Sequence, residues 1–244
     1  MTPEITPALL AAIFAMAVLY SSVGHGGSSG YIAVMTLFAL APAFIKPTAL
    51  ALNILVASIG SVQFFRAGYF SWRLFWPFAL LAAPLAFFGG FTALPTRSFK
   101  LLVGGVLLFA ALRLVRAQRD AQETHPPPRA AAVASGGAIG VLAGLTGTGG
   151  GIFMTPLLLF FRWANLRSAA AVSAPFIVLV SIAGLAGNFA ATREFPLAGL
   201  ALAGVAGAGG AIGSTLGSRR LPPPLIGRLL ALVLGIAGLK LLLT

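Results

Sequence analysis

Apolar residues run along this chain in ten stretches, each separated from the next by a short polar or glycine-rich break. They cover residues 7–23, 28–44, 47–65, 72–91 and 98–117, then 131–146, 151–161, 167–190, 195–217 and 225–243. A helix needs about 20 residues to cross a hydrocarbon core of about 30 Å, and in lipid each helix satisfies its own backbone polar groups. The pattern therefore predicts an all-α integral membrane protein that crosses many times. The polar stretch Gln118–Arg129, which holds Asp120, Glu123 and the run Pro126-Pro127-Pro128, has the composition of an exposed connection. It divides the chain into a first transmembrane repeat at 1–117, a linker at 118–130 and a second transmembrane repeat at 131–244.

The two halves resemble one another. Val23-Gly24-His25-Gly26-Gly27-Ser28 matches Thr146-Gly147-Thr148-Gly149-Gly150-Gly151 at an offset of 123 residues, and Leu94-Pro95 matches Leu221-Pro222 at an offset of 127. Between these landmarks Lys46 near Thr48 lines up loosely with Arg167 near Ser168. Internal duplication of this kind is a frequent transporter architecture.

Each glycine cluster interrupts an apolar stretch, so its flanks form either one broken crossing or a hairpin that returns to its own side. Charge separates the two cases. With hairpins, one face holds Arg66, Arg73, Arg113, Arg116, Arg119, Arg129, Arg162, Arg167, Arg219, Arg220 and Arg228, against Lys46, Arg97, Lys100, Arg193 and Lys240 opposite, a split of eleven to five. With broken crossings the split is eight to eight. Because Lys and Arg concentrate on the cytoplasmic side, the hairpin arrangement is expected: two inverted repeats of about five segments each, the linker cytoplasmic, both termini periplasmic, and the glycine-rich hairpins meeting near the midplane.

Composition agrees with the pattern. The 244 residues are 59% hydrophobic and 8% charged, with a mean hydropathy of +1.00, far from soluble usage. A net charge of +12 would suggest nucleic acid in a soluble protein. Here the sixteen Lys and Arg sit at the ends of apolar segments, where lipid head groups and topology account for them. The first twenty residues lack a basic leader region, carry Glu4 and resemble a later segment, so they read as mature structure rather than a signal peptide. Without cysteine there is no disulfide, thiolate metal site or thiol nucleophile. No cofactor or metal is expected, and the near-empty inventory of nucleophiles and acid–base pairs argues against an enzyme. Energy from ATP is not expected either, since no G-x-x-x-x-G-K-[ST] motif occurs.

Irregular glycine-rich backbone at membrane depth has to be buried in protein or line an aqueous cavity. If helices resume at Ser28 and at Ile152, their free N–H groups and positive dipole ends face each other, which favours an anion. The competing explanation is that the glycines only allow close helix packing. The density of the clusters, and their interleaving with His25, Ser28, Ser29, Thr146 and Thr148, favours a binding site made of Gly24, His25, Gly26, Gly27, Ser28 and Ser29 with Gly147, Thr148, Gly149, Gly150 and Gly151. Asn53 and Ser173 follow their clusters at similar distances and offer neutral hydrogen bonds to an oxyanion, or helix-to-helix contacts.

All four acids, Glu4, Asp120, Glu123 and Glu194, lie in termini or connections, which disfavours a carboxylate cation site or proton relay. His25 is then the candidate proton carrier, because imidazole titrates near neutrality. The plainer alternative is a neutral histidine held by a backbone carbonyl. Lys46 and Arg66 lie near segment ends, where snorkelling to head groups competes with a gating or anion-funnelling role.

The clusters VGHGGSSGYIAV and LTGTGGGIFMTPLLL, placed early in each half, resemble the TauE/SafE family of membrane transporters, also called the toluene-sulfonate uptake permease family. The resemblance covers nearly the whole chain. It implies a small sulfur-containing oxyanion such as sulfite, sulfoacetate, another organosulfonate or thiosulfate, moved in either direction depending on the member, and its motifs carry over to Gly24, His25, Gly26 and Gly27 and to Gly147, Thr148, Gly149 and Gly150. An alternating-access exporter in a bacterial inner membrane is the leading expectation, with a passive channel of the same architecture as the alternative. The expected partners are the anion and membrane lipids, and no motif specifies an oligomeric state.

Overall fold

In the computed structural model the described residues are 5–92, 95–116, 124–195 and 197–219, with isolated positions between 228 and 243. They form helices and no strand. In chain order these are α1 (Pro7–Ser21), α2 (Ser28–Leu37), α3 (Pro42–Arg66), α4 (Trp72–Phe91), α5 (Thr96–Arg116), α6 (Arg129–Thr146), α7 (Gly151–Phe160), α8 (Leu166–Thr192) and α9 (Ala203–Arg219), the last entered through a 3-10 turn at Leu197–Leu202. The first part of the linker (118–123, with Arg119, Asp120 and Glu123), Glu4, the landmarks Leu94, Leu221 and Pro222, Arg220, Lys240 and most of the segment at 225–243 lie outside the described residues.

Among the described residues five helical stretches are long and apolar enough to cross a membrane: Pro42–Arg66, Trp72–Phe91, Arg129–Thr146, Arg167–Thr192 and Gly199–Ser218. The protein is therefore a multi-pass membrane protein. By contrast α2 and α7 have ten residues each, about 15 Å of helix, which reaches only half way through the core. Both are arms of hairpins. Gly30 of α2 packs back on Met16 and Tyr20 of α1, and the chain entering α6 meets the chain leaving α7 where His125 N–H donates to the Arg162 carbonyl at 3.0 Å.

The sequence stretch 28–44 is split. Its helix stops at Leu37, the chain turns through Ala39 at φ 57°, and α3 starts at Pro42. Proline is favoured in the first turn, where its missing N–H would have no partner. Polar caps fix two other starts: the Thr6 side chain accepts from Leu9 N–H at 3.2 Å, and the Asn165 side chain accepts from Ser168 N–H at 2.9 Å.

Two parallel seams hold the bundle together. On α6, Gly136, Gly140 and Gly144 lie against the backbone at Phe78, Ala82 and Ala86 of α4; on α9, Gly209, Gly213 and Gly217 lie against Phe14 and Val18 of α1 and Ser22, which caps its end. Residue numbers rise together in both seams. Glycine every fourth residue puts a bare backbone strip on one face, so the helices approach closely and gain dispersion contacts that lipid alone would not favour. Between the seams α3 and α8 cross in opposite directions: Leu50 lies by Gly184, Asn53 by Ser181, and Phe64 clusters with Ala170 and Ala171.

Candidate functional site

Each glycine cluster ends one helix and starts another. Gly147 closes α6 at φ 77°, while Gly27 and Gly150 cap the starts of α2 and α7 at φ 100° and 81°. A side chain in that left-handed region costs roughly 1–2 kcal/mol, so glycine is required if helices are to begin abruptly inside the bundle. Neither α2 nor α7 receives a side-chain cap from its N-cap residue, and a helix's first N–H groups have no carbonyl in their own ladder.

The two helix starts meet. The Ser28 hydroxyl donates to the Thr148 carbonyl at 2.5 Å, and His25 Nε2 lies 2.9 Å from the Gly151 carbonyl. His25 Nδ1 lies 3.1 Å from the Val23 carbonyl. A neutral imidazole donates to one of these acceptors and an imidazolium to both, so a proton gained or lost at His25 bears on the link between the hairpins. On the second loop the Thr146 and Thr148 hydroxyls pair at 2.8 Å.

Asn53 is the central polar side chain. Its carbonyl oxygen accepts from Ser28 N–H at 3.0 Å, and its amide donates to the Ser181 hydroxyl at 3.2 Å. Gly26 lies over the oxygen end of this amide and Gly149 over the nitrogen end, so closely that a Cβ at either position would run into it. Asn53 is 1% exposed and Ser181 is fully buried. With Asn53, the residues Tyr20, His25, Gly26, Gly27, Ser28, Ser29, Thr148, Gly151, Ile152 and Ile177 line a partly open cavity of about 10 Å³, room for about one water molecule. The Tyr31 hydroxyl is buried beside Gly27 without a hydrogen-bond partner among the described residues.

Most of the residues singled out from sequence are thus brought together. Ser29 joins them through its hydroxyl, which donates to Tyr20 Oη at 3.0 Å. Ser173 does not; it pairs with the Thr155 hydroxyl at 2.9 Å between α7 and α8. Gly24 and Gly147 flank the centre, packed on Ala170 and Lys46 respectively. Lys46 is 7% exposed, and its ammonium donates to the Gly89, Gly90 and Thr92 carbonyls at 3.4, 3.1 and 3.2 Å, at the end of α4. Arg66 is exposed at the last position of α3, about 20 Å along the helix from Asn53. Sequence reading passed over Tyr20 and Tyr31, because an aromatic inside an apolar run reads as core.

Among the described residues no group of three or more His, Cys, Asp or Glu is placed to hold a metal ion. The centre offers backbone N–H groups, hydroxyls, one amide and one imidazole. Such a set hydrogen-bonds an oxyanion and has no negative group to repel it.

The family described as "Sulfite exporter TauE/SafE" matches residues 9–241. A protein of Sinorhizobium fredii (strain NBRC 101917 / NGR234), described as "Probable membrane transporter protein y4hK", is 40% identical over 240 residues, covering 96% of this chain and 97% of that protein. No solved structure matched. The chain belongs to the sulfite exporter TauE/SafE family of membrane transporters.

Proposed function

We propose that the chain is a secondary transporter that exports a small sulfur-containing anion, such as sulfite, sulfoacetate, another organosulfonate or thiosulfate, across the bacterial inner membrane by alternating access. The observation that carries this reading is the meeting of the α2 and α7 starts around the Asn53 amide, in a cavity with hydrogen-bond donors and no carboxylate. Two positive dipole ends aimed at one point stabilise an anion by roughly 0.3–1 kcal/mol each, more where water is excluded.

The halves form an inverted repeat in this reading. Support comes from α3 and α8, matched by the repeat, running antiparallel where Asn53 meets Ser181, and from the exchanged seams, α4 with α6 and α1 with α9. Arginine placement supports a cytoplasmic linker and periplasmic termini: Arg66, Arg73, Arg129, Arg162 and Arg167 all lie at helix ends on the linker face. The small size of the cavity, room for about one water, supports a gated site over an open pore. His25, the imidazole lining that cavity, is the proton-coupling group.

Reconstitution into liposomes tests the proposal. Sulfite or a sulfonate should accumulate against its gradient when a pH step is imposed; equilibration without accumulation would make the protein a channel, and no flux of any oxyanion would end the anion reading.

A further inference from the structure

The two loops lie on opposing helices in matched positions, and the helices are not chemically alike. The first loop rests on α8 through Gly24, where an added Cβ would lie 2.6 Å from that of Ala170, and its Gly26 sits between the Asn53 amide and Ile177. The second loop rests on α3, with Gly147 against Lys46 and Gly149 against Asn53. Each pair is seven residues apart, hence on one helix face about 10 Å apart. The same backbone arrangement therefore carries Ala170 on one side of the centre and Lys46 on the other, with Asn53 touched by both loops.

What covers each seam differs as well. Over Ala170, on the linker face, Phe64 and Ala171 are buried and Tyr69 and Phe70 pack against them, with Arg167 donating to Tyr69 Oη at 2.9 Å and stacked over its ring. Over Lys46, on the opposite face, lie the backbone carbonyls that end α4. Among the described residues no ion pair joins Lys46 to an acid, and the partners of its ammonium are carbonyl dipoles. A buried ammonium held by carbonyls at 3.1 to 3.4 Å gains from an anion that comes within reach.

Resting on the transport reading above, we infer that the anion path is one-sided: Lys46 is the cation that selects anions at the gate between the second loop and α3, on the face away from the linker, while the seam at Ala170 is an apolar gate without charge selection. Lys46 draws the anion in, and Asn53, two turns further along the same face, receives it. The gates open alternately, but only one of them recognises charge.

The chain has no cysteine, so a single introduced thiol can be labelled cleanly. Lys46→Cys in oriented membrane vesicles, with excess free cysteine on the opposite side to quench reagent that crosses the bilayer, is expected to react with aminoethyl methanethiosulfonate added on the face away from the linker, and not from the linker face. The cationic adduct should restore anion flux and lower KM about tenfold or more relative to the methyl methanethiosulfonate adduct. At Ala170→Cys the two adducts should behave alike. Lys46→Met, which keeps the stem packed on Gly147, should raise KM by about the same factor with kcat little changed, and Lys46→Arg should not. Rescue by the neutral reagent as good as by the cationic one, absence of labelling from both faces, or a Lys46→Met loss confined to kcat would overturn the inference and leave Lys46 as a cap on α4. Labelling needs no substrate, so a wild-type chain that carried no oxyanion would defeat the transport reading while the sidedness of labelling in the Lys46→Cys variant was read independently.

Discussion

The loops at 22–27 and 147–150 share a backbone and differ in chemistry. Both carry a positive-φ glycine after the first helix and another before the second, and both are followed by a ten-residue helix and then by one of 25 or 27 residues. The first loop and its helix reach across with side chains, the His25 ring and the Ser28 hydroxyl; the second answers with the Thr148 and Gly151 carbonyls. Similar backbone thus supplies the geometry, and the side chains that differ give one loop the ionisable group. A site built this way tolerates side-chain exchange in the second loop better than in the first, and tolerates added bulk in neither.

Bulk should have the largest effect. Gly149→Ala or Gly26→Ala drives a methyl into the Asn53 amide, and a displacement of this size at a site lowers flux roughly 100-fold while destabilising the fold by about 1–3 kcal/mol. Initial uptake rates and thermal unfolding measure both, and near-normal flux in either variant would break the shared-geometry half of the comparison. Next comes Asn53→Ala, which leaves Ser28 N–H without its acceptor; a stability loss of about 1–3 kcal/mol and about a tenfold fall in flux are expected.

His25→Gln separates the loops. Its amide still reaches a carbonyl but does not titrate, so the dependence of flux on pH should flatten; a profile identical to wild type would remove His25 from coupling. Thr148→Val then takes a hydroxyl from the second loop while keeping the carbonyl that Ser28 uses, and should cost only the bond to Thr146, about 1 kcal/mol, with flux reduced a few-fold at most. Ser173→Ala is the smallest: it loses the Thr155 bond, about 1 kcal/mol of stability, with flux unchanged. A Ser173 effect as large as that of Asn53 would restore it to the site.

Apolar periodicity located the helices, because length and hydrophobicity are what a bilayer demands of each crossing. It failed where a break is itself apolar: the turn through Phe38, Ala39 and Leu40 hides inside a continuous run, and the 3-10 entry to α9 at Leu197–Leu202 does so again. The glycine clusters were legible as loops because their density exceeds what packing needs. Asn53 was legible as a polar residue in an apolar helix, yet its partner was not. Counting from each cluster pairs Asn53 with Ser173, whereas α3 and α8 cross at Asn53 and Ser181, a relation fixed by two crossing helices rather than by spacing along either. Lys46 sits near the end of an apolar stretch and looks like a snorkelling cation; only the folded α4 end shows that it is buried on carbonyls.

Accumulation of sulfite in proteoliposomes under an imposed pH step, wild type beside Gly149→Ala, tests the central claim that the two glycine loops form one anion site. The account predicts concentrative uptake by the wild type and background flux by the variant. Equal uptake by both, or none by either across sulfite, sulfoacetate and thiosulfate, would contradict it.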